Sequence, residues 1–147
     1  MQDDSSVFQG TLPEGCQLCR QGAKMVLLIT GLCRRRCFYC PLSSEKRGRD
    51  VVFADEMPVE EMPHIIEEAE AIDALGTGIT GGDPLLVLSR TLRVIELLKR
   101  HFGDEHHIHL YTGTPASMEQ VQSLAQAGLD ELRFHPPPGM WTRLGPF

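Results

Sequence analysis

The sequence predicts an α/β fold, a partial (β/α) barrel of about four parallel strands, and three observations carry that expectation. Short apolar runs alternate with longer stretches whose apolar residues recur at helical spacing. Each run ends in glycines or polar residues, and no two neighbouring runs read as a hairpin. Single strands separated by helices imply crossover connections and a parallel sheet. The 147 residues, 41% hydrophobic and 23% charged, suit one globular domain.

Residues 1–14 include Asp3, Asp4, Ser5, Ser6, Gly10 and Pro13, show no apolar period, and read as irregular. A lead-in of residues 1–23, holding the pair Cys16 and Cys19, is set apart from a core of residues 24–147. Lys24-Met-Val-Leu-Leu-Ile-Thr30 is a continuous apolar run of the kind found in a strand buried on both faces. A long connection follows, with a short extended piece at Val51-Val-Phe53. The next helix spans residues 63–75, with Ile65, Ile66, Ala69 and Ile72 on one face and Gly76 as its stop. Gly78-Ile79-Thr80 is a strand by position. The second helix starts with Ser89 as cap, carries Leu92, Ile95, Leu98 and Phe102 inward, and ends at Gly103. Residues 107–111 form the third strand. Thr114 and Pro115 open a third helix whose inner stripe is Met118, Val121, Leu124 and Ala125, with Gly128 closing it. Glu131-Leu-Arg-Phe-His135 is the fourth strand.

In parallel α/β sheets, ligands bind beyond the carboxyl ends of the strands. Those ends carry residues 33–40, 81–84 and 111–114, and then His135, so every chemical candidate falls on one rim. Cys33, Cys37 and Cys40 offer three thiolates, which favour zinc, copper(I) or an iron-sulfur cluster. A cubane cluster usually takes four cysteines, so three leave one iron open to a ligand. A competing arrangement pairs Cys16 and Cys19 with Cys37 and Cys40, a four-cysteine zinc spacing that strands Cys33. Five cysteines, an odd number clustered in residues 16–40, suit a metal site in a reducing compartment better than a disulfide framework. Cys16 and Cys19 are either ligands of an auxiliary cluster or zinc completed from elsewhere, or two small packed side chains.

The pattern Cys33-x-x-x-Cys37-x-Tyr39-Cys40 resembles the cluster loop of radical S-adenosylmethionine enzymes. Thr80-Gly81-Gly82-Asp83-Pro84 resembles the segment with which that superfamily holds the methionyl amino group of the cofactor, with Asp83 where a glutamate is usual. More narrowly, residues 15–135 look like a mainly archaeal group related to pyruvate formate-lyase activating enzymes. The resemblance implies a 4Fe-4S cluster on Cys33, Cys37 and Cys40. It also implies S-adenosyl-L-methionine held by Tyr39, Gly81, Gly82, Asp83 and Pro84, with Thr112 near its ribose. Arg133 and His135 share a face of the fourth strand by alternation, where they either reach the cofactor's carboxylate or the substrate or form a structural pair. The implied activity is reductive cleavage of the cofactor to a 5'-deoxyadenosyl radical that abstracts hydrogen from a small molecule or a protein glycine. A one-electron donor such as ferredoxin or flavodoxin is then required. Cores of that family usually have six strand-helix units, so a chain that stops after the fourth strand reads as the N-terminal part of such a barrel.

A net charge of -6 argues against general nucleic-acid binding, and the longest apolar run is far too short for a membrane span. The acidic, polar start is unlike a signal peptide, so a cytoplasmic enzyme is expected. Arg34, Arg35, Arg36, Lys46, Arg47 and Arg49 gather around the cysteines, whereas residues 60–73 are acidic and read as a helix's outer face. His106, His107 and His109 sit at the start of a strand, away from the rim, and read as packed or solvated. A non-catalytic iron-sulfur or zinc protein, or an inactive fragment, is the alternative function.

Overall fold

The computed structural model describes residues 10–143. The elements are α1 (Glu14–Arg20), β1 (Lys24–Leu28), β2 (Phe53–Ala54), β3 (Met57–Pro58), α2 (Pro63–Ala71), β4 (Gly76–Thr80), α3 (Leu88–Phe102), β5 (His107–Thr112), α4 (Met118–Ala127) and β6 (Glu131–Phe134). They build one sheet in the order β3-β2-β1-β4-β5-β6. β1, β4, β5 and β6 run parallel, each joined to the next by a helix, as the alternation requires. Of the lead-in, residues 1–9 lie outside the described residues, as does the end of the tail, residues 144–147. The segment holding Cys16 and Cys19 is helical.

The edge beyond β1 differs from expectation. β2 and β3 form an antiparallel hairpin on β1, where the sequence suggested one extended piece and no hairpin. The chain reverses at Asp55, whose φ of 50° a short polar side chain tolerates without glycine. The Asp55 carboxylate also accepts the Val26 N–H at 2.9 Å. Strands of two residues carry no alternation to read.

Side-chain alternation gives the parallel strands two unlike faces. On one, Met25, Leu27, Ile79, Ile108 and Leu110 are fully buried against Ile65 of α2, Val94, Ile95 and Leu98 of α3, and Leu124 of α4. Burying each such side chain stabilises the fold by about 1.5–3 kcal/mol. On the other face stand Lys24, Val26, His107, His109, Tyr111, Glu131 and Arg133. Gly78 makes room there, because a Cβ on it would lie 2.8 Å from the His109 ring.

Helix boundaries shift for identifiable reasons. α2 ends at Ala71, and Gly76 opens β4 instead of closing the helix. α3 is not capped by Ser89: the 3-10 turn Pro84–Val87 runs directly into it, with the Asp83 carboxylate accepting the Leu85 N–H at 3.1 Å. α4 is capped by Ser117 in a capping box with Gln120, not by Thr114. Its buried residues are Leu124 and Ala127, while Met118 is 72% exposed and Val121 and Ala125 face outward. Gly103 and Gly128 do close their helices, with φ of 87° and 104°.

Candidate functional site

The cysteine loop leaves β1 and is stitched to its neighbours by main chain. The Gly31 N–H donates to Arg49 O and the Gly48 N–H to Gly31 O, both at 2.8 Å. Gly82 N–H donates to Thr30 O at 2.7 Å and Asp83 N–H to Leu32 O at 2.8 Å, so the Gly81-Gly82 turn after β4 lies directly against the loop's root. Here glycine is required: a Cβ on Gly82 would sit 1.9 Å from Leu32 O, and one on Gly81, whose φ is 144°, would sit 2.4 Å from Thr30 O. The close neighbour is thus the cysteine loop's own backbone.

A second brace holds the same root. Arg90 grips Asp50 through both guanidinium nitrogens, at 2.6 and 2.9 Å, and donates to Ile29 O. Asp50 also accepts the Thr30 hydroxyl, and Thr30 Oγ1 accepts the Leu32 N–H at 3.2 Å. The Arg90 hydrogen bonds hold the Asp50 carboxyl down at about 2. Sequence reading missed this pair, because 40 residues separate its members.

A cavity of about 760 Å³ opens at the carboxyl ends of the strands. Cys33, Cys37 and Cys40 line it together with Tyr39, Gly81, Gly82, Thr112 and His135. Most of the rim residues picked out in the sequence therefore surround one space. Asp83 and Pro84 are not among its walls: both are buried, and Asp83 is 1% exposed. The Asp83 carboxylate accepts the Thr112 hydroxyl at 2.9 Å and the Thr114 hydroxyl at 2.5 Å, besides capping the Leu85 N–H. Its side chain links the ends of β4 and β5 instead of facing the cavity.

All five cysteines are free thiols. The Tyr39 hydroxyl is raised above its ordinary pKa, first by its hydrogen bond to Cys37. Cys16 and Cys19 lie elsewhere. α1 packs on β5, where a Cβ on Gly15 would come within 2.8 Å of His107 and 3.1 Å of His109, at the opposite end of the sheet from the rim. The four-cysteine zinc arrangement is therefore not assembled. Among the described residues, no group of three or more His, Cys, Asp or Glu side chains closes on a single ion, the cysteine triad included.

The cavity wall includes one rim residue to which sequence reading assigned a place but no specific role. Tyr111 lines the cavity, and its hydroxyl accepts from Arg133 Nη1 at 2.6 Å. Glu131 holds the other side of that guanidinium, and the His135 ring meets Tyr111 edge-on at 5.1 Å. Its signal was the shared parity of Tyr111 with Arg133, which pair across β5 and β6.

Below Tyr111 the three histidines are packed, not solvated. Lys24 Nζ lies 2.8 Å from Nδ1 of both His107 and His109. An ammonium only donates, so both Nδ1 atoms accept and each ring carries its hydrogen on Nε2. His107 then donates to Glu131 at 3.0 Å. His106 shares a hydrogen bond with the Thr77 hydroxyl on the opposite face, at 2.9 Å. Burial lowers Lys24 to about 8, despite the pull of Cys19 and Glu131. Burial, assisted by Lys24, lowers His106 to about 4 and His109 to about 3.

A parallel sheet whose first loop brings three cysteines beside a Gly-Gly turn defines a class, and comparison with known families agrees. The Radical SAM superfamily matches residues 27–136, and the chain belongs to it. It is also 47% identical over 127 residues to a Methanocaldococcus jannaschii protein provisionally named a glycyl-radical enzyme activating enzyme. That match covers 85% of this chain and 33% of the relative, so the chain spans about a third of the relative's length. No solved structure matches the chain. No helix among the described residues is long and apolar enough to cross a membrane.

Proposed function

We propose that this chain carries the cofactor-cleaving part of a radical S-adenosylmethionine enzyme, with Cys33, Cys37 and Cys40 ligating a 4Fe-4S cluster. The observation that carries the reading is the single cavity lined by those cysteines, Tyr39, Gly81 and Gly82. The donor set fits the cluster. Three free thiols of one loop face a common space without meeting at one ion, and a cubane takes each thiolate at a different iron. A cluster held by these three thiolates would supply the electron for reductive cleavage of the bound cofactor.

The chain's own residues do the holding. Gly81 and Gly82 present main chain close beside the cysteine loop, and Tyr39 offers an aromatic wall next to Cys40. Thr112 lines the cavity, and its hydroxyl donates to Asp83 and accepts the Thr114 N–H, which leaves one lone pair toward a ribose. His135 and Tyr111 form the far wall, where the cofactor's carboxylate or the substrate would sit. Asp83 and Pro84 fix the turn from behind. The substrate we infer is a protein glycine, supported by the activating-enzyme name of the relative, with a one-electron donor as the second partner.

Anaerobic reconstitution with iron and sulfide tests the reading. Dithionite with S-adenosylmethionine is expected to yield 5'-deoxyadenosine, and Cys37→Ala to fall to background in both iron content and product. Bound zinc without iron or sulfide, or equal product from the Cys37→Ala protein, would refute it.

A further inference from the structure

The cysteine loop borders two spaces. Besides the large cavity, a second recess of about 240 Å³ is lined by the same Cys33, Cys37 and Cys40 together with Arg36, Arg47 and Gly48. The three cysteines thus border both spaces, whereas Arg36, Arg47 and Gly48 border only the smaller one.

The surface around that hollow is unlike the rest of the molecule. In a chain of net charge -6, six of the 14 Lys and Arg residues fall between positions 34 and 49, against the single acid Glu45. Arg34, Arg36, Arg47 and Arg49 are exposed, and none is in an ion pair among the described residues. Phe38, between the cysteines, is 92% exposed. An exposed aromatic ring on a loop that also carries exposed arginines has the composition of an interface centre, where aromatic residues and Arg are enriched. Unpaired arginines in an otherwise acidic chain steer an acidic partner to one face.

We propose that the exposed part of the cysteine loop, centred on Phe38, Arg34 and Arg36, is the docking surface for a small acidic one-electron carrier protein. The proposal rests on the cluster reading above. The step is a transfer of one electron from the reduced carrier, which is oxidised, to the oxidised cluster, which is reduced; no bond is made or broken. Docking there brings the carrier beside the cysteines without using the wall of the larger cavity, which includes none of Arg34, Arg36 and Phe38.

The test uses the reconstituted full chain and follows cluster bleaching with three reductants: reduced flavodoxin, a reduced acidic ferredoxin, and the reduced methyl viologen cation. Arg34→Glu/Arg36→Glu is expected to lower the second-order rate with both proteins about tenfold at low ionic strength. The viologen rate should hold or rise, because a small cation is no longer repelled. Arg34→Lys/Arg36→Lys should stay near wild type, and Phe38→Ser should raise the carrier concentration giving half-maximal rate several-fold with little change in the limiting rate. Raising salt from about 50 to about 200 mM should slow only the protein-driven reactions of the wild type. Unchanged rates with both proteins in the Glu variant would overturn the proposal. Equal slowing with all three reductants would overturn it too, assigning the arginines to cluster retention. Failure of viologen to reduce wild-type protein would instead strike the cluster reading itself.

Discussion

At the scale of single residues, Asp83 shows how a site residue changes meaning once its surroundings are known. Its position after Gly81-Gly82 marked it for the cofactor's amino group, but its carboxylate is buried and spans from the Leu85 N–H to the hydroxyls of Thr112 and Thr114. Those hydroxyls lie 29 and 31 residues away, at and just beyond the end of β5, where no local pattern could announce them. Cys33, Cys37 and Cys40 were legible as a group for the converse reason, since their nearness is written in spacing within one loop that lines the cavity. Asp83→Asn replaces an acceptor-only group by one whose NH₂ faces a hydroxyl. It should cost about 1–3 kcal/mol in urea unfolding. S-adenosylmethionine affinity of the reconstituted protein should change by less than about threefold, under 1 kcal/mol. A tenfold loss of affinity at unchanged stability would mean that the carboxylate turns outward to the cofactor.

Among the elements, those read correctly had either long periodicity or a glycine stop. α3, with Ile95 and Leu98 inward and Gly103 at its end, combines the two. Its start was misread because Asp83 and Pro84 cap a preceding 3-10 turn, a tertiary arrangement that made Ser89 unnecessary. Thr114 lost its expected capping role because its hydroxyl is committed to Asp83, and Ser117 took over with Gln120. The β2–β3 hairpin was invisible, being built from two pairs of residues around a left-handed Asp55. The element that matters most for the site is the Gly81-Gly82 turn, wedged under the cysteine loop. Gly82→Ala places a methyl 1.9 Å from Leu32 O, a backbone atom that cannot move without shifting Cys33. The expected loss is about 1–3 kcal/mol or more, with reduced iron retention after reconstitution. Gly139→Ala meets nothing within 4 Å and serves as the control. Equal melting temperatures for the two variants would remove the wedge from the account.

For the molecule as a whole, the two faces of the sheet set different physical terms. The helix-covered face supplies the apolar core and was foreseeable from periodicity, whereas the other face is a polar file from Lys24 through His107 and His109 to Arg133 and Tyr111. Strand alternation placed these residues on one side, but only the fold revealed that they satisfy one another in burial. Burial of His109 in this file, and of His106 on the opposite face, makes stability depend on pH with a definite sign. His106 and His109 are lowered from 6.5 to about 4 and about 3, so below pH 6.5 the unfolded chain binds protons that the folded one refuses. Stability therefore falls as pH drops from 6.5 toward 4, by about 1.4 kcal/mol per unit for each histidine, and is flat just above 6.5. Lys24, lowered from 10.5 to about 8, adds a second rise in stability only above pH 8. Thermal melts of the apo-protein between pH 4.5 and 7.5 should show the acid limb, and His109→Gln should make it shallower by roughly the share of one group. A melting temperature constant from pH 7 to 5, or a His109→Gln profile parallel to wild type, would show that the file is hydrated in solution and that the histidines titrate there as they do in the unfolded chain.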